Sequence, residues 1–423
     1  MSDALSSKID FTQSVQNAEQ ELRVLFPPTP LQRNEHLSKH YQADIYLKRE
    51  DLSPVRSYKI RGAFNAMRKA LAEEPNLTTF VCASAGNHAQ GLAFACKHFG
   101  MRGVIFMPVT TPEQKINKTT IFGGGRVEIM LVGDYFDDTL RAAQDFCKRE
   151  GARFLPPYDD HDVIEGQATV GSEILSQLDG NTPDMIVVPV GGGGLSAGLV
   201  RYMSQSGPDI DFRFTEPSGG RSLHSALQAG QLVTLPHVDN FVDGAAVARI
   251  GDKNFEILKH IASSQVLGID EKRLCSTIVE MLNIEGIVLE PAGALTVDAL
   301  KDLRSEIRGK SIVCVTSGGN FDFERLPDVK ERAMRYEGRK KYLILRLPQR
   351  PGALKDFLNL LGPEDDIARF EYLKKSARNF GAVLIGIETK SPDGFPSLFA
   401  RLNDNGFSFQ DITDNDMLSE ILV

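Results

Sequence analysis

The chain has little of what several broad protein classes require. Its 423 residues include only five cysteines and eight histidines. Cys82, Cys96, Cys147, Cys275 and Cys314 form an odd, scattered set, most of them inside apolar runs such as Ile312–Val315. They read as small buried residues of a reducing compartment, not as disulfides or a metal cluster. The histidines show no paired ligand spacing, so no metal is expected. No apolar run approaches the ~20 residues a membrane helix needs. The opening residues Met1–Lys8 carry no apolar h-region, so a cytoplasmic location is expected. Basic charge is not in excess: 48 Lys and Arg stand against 56 Asp and Glu, a formal net charge of -8. That balance argues against a nucleic-acid partner, which requires a basic face. Low-complexity segments are also lacking.

What remains is an ordinary globular composition, 42% hydrophobic and 25% charged, in a chain long enough for two or three domains. From about Ile45 to Asn320, short β-branched or aromatic runs alternate with helical patterns. Thr79–Ala83, Gly103–Pro108, Arg126–Leu131, Met185–Val190, Phe212–Glu216 and Ser311–Thr316 read as strands. His88–Phe99, Thr111–Phe122, Asp134–Glu150, Leu195–Met203, Glu271–Asn283 and Gly293–Leu303 read as helices. This alternation predicts an α/β fold with mostly parallel sheets, in which each strand-to-helix loop is a candidate ligand site. Phe321–Lys340 is highly charged and reads as a helix or linker. Beyond it, the strand Lys341–Leu347, helix Pro351–Leu361 and strand Ile367–Lys374 lead to a turn around Arg378–Phe380. The strand Gly381–Thr389, helix Gly394–Asn403 and strand Phe407–Ile412 complete the order βαββαβ, the ferredoxin-like unit.

Four segments carry candidate chemistry. In Ser57–Ala63, Lys59 stands between Tyr58 and Ile60, shortly after the acidic turn Glu50–Asp51. Burial there lowers an ammonium pKa and leaves a nucleophilic amine, as an imine with an aldehyde cofactor requires. Thr79–Gly91 is a strand, a small-residue loop and a helix start. Ser84, Ala85, Gly86, Asn87 and His88 leave N–H groups open to an anion such as a carboxylate. Val187–Gly198 places four consecutive glycines, Gly191, Gly192, Gly193 and Gly194, between a strand and a helix, a backbone nest for a phosphate. No Gly-Lys-Ser/Thr follows, and a dinucleotide fingerprint is poorly met. Cys314–Asn320 ends a strand in small polar residues, where a hydroxyl suits a neutral heterocyclic nitrogen. Each segment alone also has a plain reading, as a solvated lysine, an N-cap or a strand-end turn. The four glycines are the hardest to explain without a ligand.

Taken together and in this order, these segments resemble the fold type II pyridoxal-phosphate enzymes, the tryptophan synthase β-like group, and among them the threonine dehydratases. The resemblance spans essentially the full chain. It implies two open twisted sheets and pyridoxal 5'-phosphate as cofactor. Lys59 matches the lysine that carries the cofactor, although most members have Phe at position 58 where this chain has Tyr. Asn87 matches the residue bonding the ring hydroxyl, Gly191–Gly194 with Leu195 the phosphate loop, and Ser317 the partner of the pyridine nitrogen. Ser84–His88 match the substrate carboxylate site. Ser57 is a second candidate for carboxylate contact or proton relay. Asp243–Val247 and Leu289–Ala294 resemble further active-site segments. The lysine and glycine motifs are specific to the superfamily and weaker at separating a threonine dehydratase from a serine dehydratase or a racemase. A binding protein with a silent catalytic half is a further alternative.

The C-terminal unit resembles the ACT-like regulatory domain of biosynthetic threonine dehydratases, present once. The division implied is residues 1–335 catalytic, with a smaller subdomain near 55–160, and residues 336–423 regulatory. The implied activity is conversion of L-threonine to 2-oxobutanoate and ammonia at the head of isoleucine synthesis. Isoleucine and valine are the implied effectors, with Phe370 and Tyr372 as candidate contacts, and the family's habit implies a homo-oligomer, dimer or tetramer.

Overall fold

A computed structural model describes residues 10–206, 209–372 and 379–415. Its strands, in chain order, are β1 Leu31–Arg33, β2 Asp44–Arg49, β3 Thr79–Ala83, β4 Arg102–Met107, β5 Val127–Leu131, β6 Arg153–Phe154 and β7 Met185–Pro189. They continue as β8 Asp211–Pro217, β9 Val266–Ile269, β10 Ser311–Thr316, β11 Lys340–Pro348, β12 Asp366–Tyr372, β13 Phe380–Glu388 and β14 Ser408–Asp411. Two compact units divide the chain. Of the described residues, one unit runs through Glu271 and resumes over Ile284–Asp322; the other holds Lys272–Asn283 and those from Phe323 onward.

The first unit contains two sheets. The larger has the order β1-β2-β10-β7-β8-β9 and is parallel except for β1. The smaller, β5-β4-β3-β6, is wholly parallel. Parallel strands covered on both faces become continuous apolar runs, and Met185–Pro189 is buried at every position. The large-sheet core joins Ile186, Val188, Phe214, Val313 and Val315 to helical Ile164, Ile174 and Leu199. The small sheet has its own core, including Phe80, Cys82, Ile105, Leu92 and Met67.

The register explains where a ligand fits. Strand β10 lies between β2 and β7, with Thr316 opposite Arg49 and Cys314 opposite Val187. The carboxyl ends of three neighbouring strands therefore release the segments that carry Lys59, Ser317 and the four glycines on one edge of the sheet. Such an edge is where open α/β sheets bind ligands.

The second unit contains β11–β14 in the order β12-β13-β11-β14, the ferredoxin-like arrangement. Leu343, Leu345, Val383 and Ile385 pack with Phe357, Phe395, Leu398 and Leu402 of its helices.

Several expectations from the sequence are adjusted. The predicted helix Pro351–Leu361 is only Ala353–Leu358, because Gly352 enters at φ +84° and the chain turns again before Gly362. Gly293–Leu303 is a helix from Pro291 to Asp298 followed by a tighter turn, Ala299–Lys301. Phe380 belongs to β13, not to a turn, and Leu373, Lys374 and Arg378 lie outside the described residues. The helix His161–Gln177 has no counterpart in the sequence reading, although it is 17 residues long. Every residue from Val163 to Ile174 is buried, so it shows no apolar stripe against a polar face.

Candidate active site

Lys59 opens the helix Lys59–Glu73. The preceding backbone is fixed to the end of β10. Tyr58 N–H donates to Ser317 O at 3.1 Å, Gly319 N–H donates to Arg56 O at 2.9 Å, and Ser57 bridges Gly318. Ser53 Oγ accepts from Ser57 N–H at 2.9 Å and donates to Ser57 O at 2.8 Å, so the turn before Lys59 is clamped from both sides. Lys59 Nζ donates to Pro157 O at 2.8 Å, with the rings of Tyr58 and Tyr158 5.3 and 6.0 Å away. Burial disfavours its charged form and outweighs the attraction of Glu290, drawing the amine down to about 8.

Tyr158 connects Lys59 to the glycine loop. A Cβ on Gly192 would lie 2.3 Å from the Tyr158 ring, and one on Gly194 3.0 Å from Tyr158 O. Gly193 has φ +90°, which glycine adopts without strain. Asn254 Nδ2 donates to Gly192 O at 2.7 Å and holds the loop from behind. Among the described residues, no protein acceptor meets the N–H groups of Gly191–Leu195, the start of the helix Gly194–Ser206. These unpaired donors at a helix N-terminus suit a phosphate. The Leu195 side chain is in the core, so only its backbone faces this site.

The small sheet supplies the other side. Ser84 N–H is bonded to Phe106 O at 3.0 Å, and Ser84 Oγ accepts from Gly86 N–H at 3.3 Å. The helix Asn87–Phe99 follows Gly86, and the space a Cβ on Gly86 would enter is open. His88 is buried, with Nε2 2.9 Å from Leu155 O. Burial and then Lys59 push its imidazole down to about 3, so it is neutral and contributes a backbone N–H here, not a charge. Asn87 Nδ2 donates to Glu290 Oε1 at 2.7 Å. Ser317 Oγ makes only a long 3.4 Å bond to Ala292 O, and Ser57 Oγ is buried without a partner. Hydroxyls so placed have spare capacity for a ligand.

The structure thus brings Lys59, Ser57, Ser84–Asn87, Gly191–Gly194 and Ser317 into one neighbourhood of the first unit, linked through Pro157, Tyr158, Glu290 and Asn320. Reading the sequence missed Pro157, Tyr158 and Asn254. Glu290 and Asn320 fell within quoted motifs but received no cofactor-related role. Glu216 caps a helix: it accepts from Leu223 N–H at 2.7 Å and His224 N–H at 3.0 Å. Phe370 and Tyr372 lie on β12 of the second unit, opposite Ile385 and Val383 and each 37% exposed.

The donors and the amine fit pyridoxal phosphate: free N–H groups for the phosphate, a depressed lysine for the aldehyde and a neutral hydroxyl for the ring nitrogen. Comparison with known proteins agrees. Residues 23–318 match the family described as pyridoxal-phosphate dependent enzyme, and residues 331–422 match the C-terminal regulatory domain of threonine dehydratase. The biosynthetic L-threonine dehydratase IlvA of Bacillus subtilis is 44% identical over 407 residues, 96% of each chain. Its counterpart in Staphylococcus aureus is 45% identical over 416 residues, 97% of this chain and 98% of that one. Among solved structures, the processed form of threonine deaminase isoform 2 from Solanum lycopersicum superposes with TM-score 0.70 at 33% identity, covering 76% of this chain and 93% of that chain. The chain belongs to the pyridoxal-phosphate-dependent enzymes and, within them, to the biosynthetic threonine dehydratases.

Proposed function

We propose that Lys59, Ser57, Ser84–His88, Gly191–Leu195 and Ser317 carry the dehydration of L-threonine to 2-oxobutanoate and ammonia. The observation that supports this most is the convergence of Lys59, Ser317 and Gly191–Gly194 at neighbouring carboxyl ends of β2, β10 and β7. When bound, pyridoxal phosphate supplies the electrophilic aldehyde that takes the substrate amine and the conjugated ring that accepts the electron pair left at Cα. Gly191–Leu195 hold the phosphate through backbone N–H groups, and Asn87 orients the ring at its hydroxyl. Ser317 offers the ring nitrogen a neutral hydroxyl, which leaves that nitrogen unprotonated and favours loss of the β-hydroxyl over competing fates. Within Ser84–His88, the N–H groups not already taken by Phe106 O and Ser84 Oγ, those of Ala85, Asn87 and His88, bind the substrate carboxylate and align the Cα–H bond with Lys59. Lys59, whose amine is already shifted toward neutrality, takes the α-proton. Ser57, with its buried and unpartnered hydroxyl, is placed to relay a proton.

The functional division we propose is residues 1–335 for catalysis, including a smaller subdomain near 55–160, and residues 336–423 for regulation. Isoleucine inhibits through the latter and valine opposes it, with Phe370 and Tyr372 as contacts. The working form is a cytoplasmic homo-oligomer, dimer or tetramer. Among the described residues, no helix is long and apolar enough to cross a membrane, and no group of three or more His, Cys, Asp or Glu is placed to hold a metal ion. The deciding experiment measures 2-oxobutanoate formed from L-threonine by the purified chain, with and without isoleucine and valine. Turnover suppressed by isoleucine is the expected result. Racemised threonine without 2-oxobutanoate would overturn the reaction assignment, and turnover indifferent to both amino acids would overturn the regulatory one.

A further inference from the structure

The Asn87 side-chain amide is engaged at both ends. Its Nδ2 donates to Glu290 Oε1 at 2.7 Å, and its Oδ1 accepts from Asn320 Nδ2 at 2.7 Å. Asn320 is itself held, because the same Nδ2 donates to Val55 O at 2.8 Å. Turning the Asn87 amide over would set its oxygen against the acceptor on Glu290 and its N–H groups against the donor on Asn320. The two neighbours therefore select one orientation. An amide nitrogen has two hydrogens, and the bond to Glu290 uses one. The other is left for a ligand.

Glu290 is well fixed for this task. It precedes the helix Pro291–Asp298 and is 7% exposed. Its Oε1 lies 2.1 Å from the position a Cβ on Gly318 would occupy, so the carboxyl lies directly on the backbone after Ser317. The charged and titratable groups that bear on it come from several elements: Asp243, Lys115 and Lys118, and Tyr58 and Lys59. Burial, then Asp243, push its carboxyl up to about 7, while Asn87 and the lysines pull the other way. In either protonation state Oε1 can accept from Asn87.

We propose that Glu290 and Asn320 are positioning residues that lock the Asn87 amide so that its second N–H faces the ring oxygen of pyridoxal phosphate. The inference rests on Asn87 as a cofactor contact and extends it to the two side chains that aim it. Neither has to touch the cofactor or the reacting atoms.

The test uses full-length holoenzyme and two readouts besides turnover: the visible cofactor band with its pH titration, and the cofactor dissociation constant from dialysis against graded pyridoxal phosphate. Losing one well-aimed hydrogen bond weakens binding by about 5- to 10-fold. Asn87→Ala and Glu290→Ala are each expected to show such a loss with an altered band. Glu290→Gln should stay within about twofold of wild type, because the Gln oxygen still accepts from Asn87. The double variant Asn87→Ala/Glu290→Ala should bind no more weakly than Asn87→Ala alone, since residues acting through one another are not additive. Asn320→Ala should behave as Glu290→Ala does, and it serves as the second probe if Glu290→Ala does not accumulate folded. Multiplying losses in the double variant, or unchanged band and affinity in Glu290→Ala and Asn320→Ala while Asn87→Ala is impaired, would overturn the inference alone. Unchanged binding in Asn87→Ala would remove Asn87 as a cofactor contact, and the inference with it.

Discussion

Replacing Glu173 by Gln should destabilise the first unit by about 3–5 kcal/mol, although Glu173 is not among the residues assigned to the chemistry. Glu173 is fully buried on the helix His161–Gln177 and faces two equally buried cations. Its Oε2 accepts from Lys48 Nζ at 2.6 Å and Arg61 Nη2 at 2.8 Å, and its Oε1 from Arg61 Nη1 at 2.9 Å. Arg23 reaches the same carboxylate from a partly exposed position. Glu50 is the only other buried carboxylate on Arg61 among the described residues, bonding its Nε at 2.8 Å. Gln at position 173 keeps an acceptor but leaves two buried cations facing one buried anion, and removing one partner of a buried pair is far costlier than the pair is worth. Tyrosine fluorescence suits the assay because the chain has nine tyrosines and no tryptophan. Urea unfolding of wild type, Glu173→Gln, Lys48→Met and the double variant gives the coupling directly. The double variant should recover about 0.5–3 kcal/mol relative to the sum of the singles. The pH dependence has a definite sign. Burial alone raises the Glu173 carboxyl, but Arg61 and Lys48 outweigh it and hold it well below its ordinary 4.5. A depressed folded-state value means this stabilisation is present above pH 4.5 and fades as pH falls below it, a dependence Glu173→Gln should lack. Because Arg61 lies in the first turn of the Lys59 helix, the variant should also release cofactor more readily. A loss below about 1 kcal/mol, with no coupling to Lys48, would refute the reasoning.

Lys59→Ala should lose the covalent cofactor band and nearly all turnover, since no neighbouring side chain replaces both the amine and the base; borohydride reduction and peptide mapping that locate the cofactor on a different lysine would refute the assignment. Ser317→Asp should protonate the ring nitrogen, change the cofactor spectrum and lower 2-oxobutanoate formation relative to side reactions, and wild-type values for both would exclude Ser317 as the nitrogen's partner. Gly192→Ala places a methyl 2.3 Å from the Tyr158 ring and should cost about 1–3 kcal/mol in stability and weaken cofactor binding. Tyr158→Ala in the same chain should relieve the stability loss, and an unaffected single variant would show that the loop is not closely packed there.

The α/β pattern was legible because parallel strands buried on both faces leave nearly continuous apolar runs, as Thr79–Ala83 and Ser311–Thr316 do, and both are found with those bounds. The glycine loop was legible for a related reason: four successive residues without Cβ are rarely tolerated unless something approaches the backbone closely, and Tyr158 does so from the protein side. His161–Gln177 escaped because a helix packed on all sides loses the amphipathic period by which helices are read. The supporting site residues escaped for a different reason. Asn87 and Glu290 are 203 residues apart in sequence, and Asn87 and Asn320 are 233 apart. Neither spacing has a local signature. Only the parallel pairing of β10 with β2, which brings Gly319 onto Arg56, places Asn320 and Glu290 beside the small-sheet helix that Asn87 begins. Groups that touch a ligand sit in loops whose unusual composition betrays them. Groups that aim those contacts are ordinary Asn and Glu side chains, and their role exists only once distant strands have paired.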